Sequence, residues 1–380
     1  MATEVRTVLG SCRTGFEIAQ QPRVWRDVAG VVEGRRGDLD RFLADALADP
    51  ACVVVLAGAG TSSFIGELVA HPLARRLART VTAVPTTDVV SAPHAALPVD
   101  RPVLLVSFAR SGDSPESVAA VELADRLTST VRHLVITCNP DGDLARRCGS
   151  RDDAFVLVLP PESNDEGFAM TSSFTGMALA TLLAFGVDVD VEQLAVAGEA
   201  VLAGVEPAVA ALIAQRPRRL IYLGSGALKG LAHESALKCL ELTAGRIFAV
   251  GDASMAFRHG PKSTLDADTV AVVYLSNDEY TRAYDLDIAR ELSAAIGRER
   301  VVVVDGAGEA DVPAVTWRVP GVATQADAAW ALPAIVFAQT LALAASLDEG
   351  LSPDNPFPGG EVNRVVQGVV IHPLTANKGS

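Results

Sequence analysis

The stretches VVVLAGAGTSSFIGE (residues 53–67) and RLIYLGSGALKGLAHE (residues 219–234) carry one pattern twice. Each runs an apolar strand into a Gly-x-Gly turn and then into a helix. The register persists beyond them. VLLVSFARSGDSPES (103–117) matches AVVYLSNDEYTRAY (271–284), and HLVITCNPDG (133–142) matches RVVVVDGAGE (300–309). A near-constant step of about 167 residues across three separated strands is what an internal duplication leaves behind. Short β-rich runs alternate with helical patterns such as SPESVAAVELADRL. The fold class expected is therefore α/β, with two tandem doubly wound parallel sheets.

Working outward, residues 1–50 read as an N-terminal helical arm. EIAQQPRVWRDVAGVV is interrupted by Pro22, and DLDRFLADALAD is amphipathic. The first repeat with its linking helix spans 51–215, the second 216–352, and a tail 353–380. Strands are expected at Cys52–Leu56, Thr80–Val84, Pro102–Ser107, His133–Thr137 and Phe155–Leu159 in the first repeat. In the second they are expected at Arg219–Leu223, Arg246–Val250, Val270–Leu275 and Val301–Val304. Apolar helices are expected over 171–185 and 191–214. The tail, SPDNPFPGGEVNRVVQGVVIHPL, is rich in Pro and Gly and then apolar; it is expected to pack back on the fold.

The 380 residues suffice for two full cores. The net charge of −14, with no stripe of Lys or Arg, argues against nucleic acid and anionic membrane as partners. No signal pattern opens the sequence, and no apolar run reaches 18 residues uninterrupted. AWALPAIVFAQTLALAASL, from Ala329, carries Pro333 and Gln339 and reads as a buried helix. The five cysteines are scattered and form no CxxC, so neither a disulfide framework nor a structural zinc site is expected. The expected location is the cytoplasm, with no cofactor and no metal.

In the first repeat, Gly58-Ala59-Gly60-Thr61-Ser62 follows the first strand. Glycines let backbone approach a ligand closely, and the helix beyond offers free N–H groups to an anion. A dinucleotide fingerprint needs Gly-x-Gly-x-x-Gly, and here the third glycine, Gly66, comes too late. After Val103–Ser107 comes a second polar turn, Arg110-Ser111-Gly112-Asp113-Ser114. Ser114 also suits a plain helix cap. Two such turns at one edge of a parallel sheet converge on its carboxyl ends, where open α/β sheets bind ligands. Gly60, Thr61, Ser62, Arg110, Ser111 and Ser114 are thus the candidate phosphate site. A third turn, Met170–Ser173, is expected to close over it with Ser172 and Ser173.

In the second repeat the hydroxyls are gone. GSGALKG stands for GAGTSSF, and LSNDEYT for the Arg-Ser-Gly-x-Ser loop. The following helix instead carries Glu234, Lys238 and Glu241 within roughly 60° of one another. Two readings stay open: a solvent face laced by ion pairs, or a catalytic floor in which a lysine holds two carboxylates. His259, against the Gly260-Pro261 turn, suits a fixed general acid–base. The other histidines are dispersed, and His233-Glu234 does not extend to HExxH. A carboxylate, a histidine and a phosphate anchor are the parts that enolisation needs.

GAGTS, ARSGDS, ESALKCLE and HGP together resemble two tandem sugar isomerase (SIS) domains, as in the isomerase half of glucosamine-6-phosphate synthase. EIAQQPRVW, SFARSGDSPES, LELTAG, FRHGPKS and SPDNP with NRVVQGV are similar to the galactosamine-6-phosphate deaminase / tagatose-6-phosphate aldose–ketose isomerase branch, over essentially the whole chain. The resemblance implies that Ser62, Ser111 and Ser114 hold phosphate and that Glu241 is the base. It implies that His259 opens the ring from a partner subunit, and that Glu234 and Lys238 line the sugar. It further implies a homodimer or larger homo-oligomer with a shared site. Ala109 and Arg110 depart from the synthase's serine and glutamine, and Gln367 stands where the synthase has a tail lysine. Position 2 is Ala2 rather than the cysteine of a glutaminase, so nitrogen release is expected rather than installation. The expected reaction takes galactosamine 6-phosphate to tagatose 6-phosphate and ammonia. The alternatives are a phosphosugar isomerase without deamination, a glucosamine-6-phosphate deaminase, and a non-catalytic phosphosugar sensor.

Overall fold

The computed structural model describes residues 8–308 and 310–374; Ala2 lies outside them. The described part opens with helices α1 (Arg13–Ala19), α2 (Gln21–Gly34) and α3 (Arg36–Ala46). Pro22 does not break the arm. It sits in the first turn of α2, where its missing N–H is one that no helix would use. The first repeat then runs β1 (Val53–Gly58), α4 (Thr61–Leu77), β2 (Val81–Pro85), the short α5 (Thr86–Ser91) and α6 (Pro93–Ala96), and β3 (Pro102–Ala109). It continues through α7 (Pro115–Leu127), β4 (Thr130–Thr137), α8 (Asp143–Gly149) and β5 (Ala154–Val158). Helices α9 (Ser172–Ala184) and α10 (Val191–Ile213) lead to the second repeat. That repeat comprises β6 (Arg219–Gly224), α11 (Leu228–Leu242), β7 (Phe248–Asp252), β8 (Thr269–Leu275), α12 (Glu279–Ile296), β9 (Val301–Asp305), β10 (Val315–Arg318) and α13 (Asp327–Asp348).

Every strand pair is parallel. The sheet orders are β2-β1-β3-β4-β5 and β7-β6-β8-β9-β10, one topology used twice. Val53 pairs with Val103, and Arg219 with Thr269, each 166 residues further on. Parallel sheets need both faces covered, and the strands comply: β1, β8 and β9 are buried along their whole length. The α/β class with two tandem doubly wound sheets is thus as expected.

Strand bounds shift by a few residues from those expected, and two differences have a clear local reason. β7 begins at Phe248 rather than Arg246, because α11 ends in a left-handed Ala244–Gly245 pair and Arg246 still bonds back to Thr243. β10 was missed; it is a four-residue edge strand with no buried residue to mark it.

Helix α13 packs on α10 and α11. It and α10 are long and apolar enough to cross a membrane by length and composition, and α13's apolar stretch is wholly buried. The arm is locked by Trp25, fully buried, whose indole N–H donates to Thr175 (2.9 Å). Among its described residues, up to Leu374, the tail has no regular structure. The Asp354 carboxylate accepts from the backbone of Arg13 and Thr14, and the Leu374 carbonyl from Arg126. The tail therefore lies against the first repeat, while its Val362, Val366 and Val370 stay exposed.

Candidate active site

The site begins with two glycine turns. Gly60 takes φ +55° and its counterpart Gly226 takes +57°, so both repeats keep the same left-handed step into a helix. Helices α4 and α11 then cross antiparallel. The crossing is tight at Gly230, where an added Cβ would lie 2.7 Å from the Leu68 nitrogen. This approach carries the C-terminal end of α11 over the N-terminal end of α4. Side chains of the second repeat thereby reach the turn of the first.

At that meeting point lies Lys238. Its Nζ donates to Thr61 Oγ1 (2.9 Å), lies 3.5 Å from Glu234 Oε1, and pairs closely with Glu241 Oε2. Lys238 and Glu234 side chains are 0% exposed and Glu241 is 24% exposed, so the solvent-face reading of the stripe fails. Burial acts to lower the Lys238 pKa, but Glu234 and then Glu241 overcome it and leave the ammonium above its ordinary range. Burial pushes the Glu234 carboxyl up to about 8; Lys238 opposes this and Glu241 adds to it. Burial thus favours the neutral form of Glu234 beside the Lys238 ammonium. Of the two carboxyls only Glu241 reaches the surface, where a ligand could meet it.

The two polar turns of the first repeat flank the crevice between β1 and β3, where the strand order reverses. Thr61 and Ser62 sit on one side, nearly buried. On the other, Ser111 Oγ accepts from the Asp113 N–H (3.3 Å), and the Asn139 amide pins the Ser111 carbonyl (2.8 Å). Ser114 precedes α7 but does not cap it; its hydroxyl donates to Glu116 (2.9 Å). Arg110 is 7% exposed and donates to the carbonyls of Phe168 (3.1 Å) and Arg364 (2.9 Å). Burial, then the Arg364 guanidinium, pull its pKa below the usual arginine range.

Ser172 and Ser173 must be corrected. Both are fully buried and committed elsewhere: Ser172 Oγ donates to the Glu17 carbonyl (2.8 Å), and Ser173 Oγ to Asp165. They shape the loop beside the site rather than offering it hydroxyls. Within one chain His259 is exposed, on the turn beyond β7. Its neighbours Arg258 and Lys262 both pair with Glu291 of α12. Gln367 is exposed in the tail.

Sequence reasoning passed over three residues beside the site. Arg364 reaches from the tail to the carbonyls of Gly167 (3.1 Å) and Asp165, and so ties the tail to Arg110's loop. A cation set among the valines of EVNRVVQGVV was the available signal. Asp165 gathers the backbone N–H groups of Thr171, Ser172 and Ser173. Glu17 of the arm accepts from Glu166 and Gly167, and burial, then Asp165, push its carboxyl to about 7.

Among the described residues, one group has ligand atoms close enough for a metal ion: Asp125, His133 and Asp153. Arg151 already bridges both carboxylates there.

Residues 49–186 match the SIS domain. AgaS of Streptomyces coelicolor is 54% identical over 364 residues, covering 94% of each chain. The D-galactosamine-6-phosphate deaminase AgaS of Escherichia coli is 43% identical over 370 residues, covering 96% of each. The crystal structure of tagatose-6-phosphate ketose/aldose isomerase from Escherichia coli superposes with a TM-score of 0.89 at 40% identity, covering 96% of this chain and 98% of that one. Sharing 54% identity along nearly all of its length with one such protein, and 43% with another, the chain belongs to the AgaS family of SIS-domain proteins.

Proposed function

We propose that this chain is an amino-sugar-phosphate deaminase that converts galactosamine 6-phosphate to tagatose 6-phosphate and ammonia. The observation that carries the reading is the Glu234–Lys238–Glu241 cluster set against the hydroxyl-lined turns of the first repeat. The phosphate binds at Ser62, Ser111 and Ser114 with the Gly60–Thr61 turn, while Arg110 supplies positive charge behind it. That fixes C6 and leaves C1 and C2 near Glu241.

His259 from a second copy transfers the proton that opens the ring, giving the C1 aldehyde and a free C2 amine. Its exposure, and the pairing of both flanking cations with Glu291, support that role. Glu241 takes the proton from C2; the C2–H electron pair forms a C1–C2 double bond and the aldehyde oxygen is protonated. Glu241 returns its proton to C1, leaving a ketimine at C2. Water adds to C2 and ammonia departs, giving the ketose. Lys238 holds Glu241 in place by its ion pair, and its three contacts leave it little freedom to move. Glu234, whose carboxyl burial raises to about 8, closes off the lysine on its buried side. The expected turnover place is the cytoplasm, and the working form a homodimer or larger homo-oligomer.

The solved relative named as a ketose/aldose isomerase favours a second reading, in which the same proton transfer ends without loss of nitrogen. Purified protein given galactosamine 6-phosphate, glucosamine 6-phosphate and tagatose 6-phosphate separates the two. Ammonia with tagatose 6-phosphate from the first substrate supports deamination. Interconversion of tagatose 6-phosphate with its aldose, and no ammonia, overturns it in favour of the isomerase.

A further inference from the structure

The second sheet reverses its strand order between β6 and β8, just as the first does between β1 and β3. Open sheets bind ligands at such a crevice. Here, three loops leaving β6, β7 and β8 turn donors toward one point. Ser225 and Ser254 hydroxyls and the Ser276 N–H all converge there, and all three donate to the carboxylate of Asp285. The distances are 2.6, 2.6 and 3.0 Å. Asp285 belongs to α12 and is fully buried. The next donors of the same loop are taken too: Ser276 Oγ and the Asn277 N–H go to Asp327 (2.6 and 2.8 Å).

We infer that the second switch point is an anion cradle whose resident anion is the chain's own Asp285, and that a small free carboxylate takes its place when this side chain is truncated. Two hydroxyls and an amide around one oxyanion are the donor set by which a loop holds a carboxylate or phosphate group. Burial pushes the Asp285 carboxyl upward and the three donors act against that. The buried charge is thus held at a cost, which unpaired donors would exceed. A cavity of about 590 Å³ lies along the next residues of the same loops, lined by Gly226, Ala227 and Asn277 and also by Asp278 and Asp327. The wild-type chain is accordingly limited to one phosphosugar, at the first switch point.

The test uses the full-length protein and formate, which reproduces the lost carboxylate when Asp285→Ala keeps the Cβ. Thermal midpoints are read at constant ionic strength in chloride, acetate and formate, and bound formate by equilibrium dialysis. Asp285→Ala should melt several degrees lower, recover saturably in formate, less in acetate and not in chloride, and bind one formate more than wild type. Asp285→Asn, of the same shape, should melt lower and show no formate response. If Asp285→Ala does not fold, refolding should succeed in formate and fail in chloride. A folded Asp285→Ala with no extra formate, no refolding in formate, or an Asp285→Asn as stable as wild type each overturns the inference.

Discussion

At the end of β1 the turn Gly58–Gly60 leads into Thr61 and Ser62; at the end of β6 the same turn leads into Ala227 and Leu228. Because α4 and α11 cross antiparallel, each repeat lays the end of its first helix over the other's crevice. Over the first crevice lie Glu234, Lys238 and Glu241. Over the second lie their counterparts 166 residues earlier, Leu68, Pro72 and Arg75, and Pro72 and Arg75 line the second cavity. One composite crevice pairs open donors with an acid–base cluster. The other pairs satisfied donors with a cation beside Asp278. Duplication supplied two identical frames, and divergence of a few side chains left the candidate chemistry in one of them.

The largest test of this contrast exchanges the ends. Glu241→Gln should lower kcat by on the order of 10²–10⁴-fold, the usual worth of a general base, with phosphate binding retained. Arg75→Gln, at the matching place, should leave kcat unchanged. A comparable loss in both would break the division between the crevices. Lys238→Met leaves Glu241 without its cation. It should lower stability by about 3–5 kcal/mol, read from urea midpoints, together with activity. Arg364→Ala removes charge-assisted bonds each worth about 1.5–3 kcal/mol. It should raise KM about tenfold with a smaller change in kcat, because it loosens Arg110 rather than Glu241.

A last test concerns pH. The Glu234 carboxyl is raised to about 8 in the folded chain, from an ordinary value of 4.5. Between these values the folded state holds a proton that the unfolded state has lost. Stability from this group is therefore fully present below pH 4.5 and is lost as pH rises through about 8, by at most about 1.4 kcal/mol per pH unit. Glu234→Gln should flatten that fall in a series of melts. An unchanged slope would mean that the buried carboxyl is ionised and that Lys238 divides its charge.

The sequence carried the strands, their duplication and the contrast between the loops, because apolar runs and glycine turns are local signals. It carried the stripe on α11 as an angle but not its burial. That depends on α4, whose contact is specified by Gly230 and by nothing periodic. Ser172 and Ser173 looked like ligands because a Ser/Thr turn has the same composition whether it faces a phosphate or an aspartate six or more residues upstream. Asp285 lies two turns into a helix, and only the fold brings it under three loops. Arg364 is more remote still: its partners lie about 200 residues away in the chain.

Where α4 and α11 cross, Glu67 and the half-buried His233 share a hydrogen bond of 2.7 Å, and the Phe64 ring packs at a tilt against the histidine. These two residues are again 166 apart, so each is the other's counterpart. On a true two-fold axis a residue near the centre meets its own copy. Glutamate would face glutamate, or histidine histidine. A carboxylate beside an imidazole is an arrangement that no symmetric pair of single repeats can make. The join between the halves thus has a direction: at this pair the two helices are no longer interchangeable, the carboxylate coming from the first repeat and the imidazole from the second.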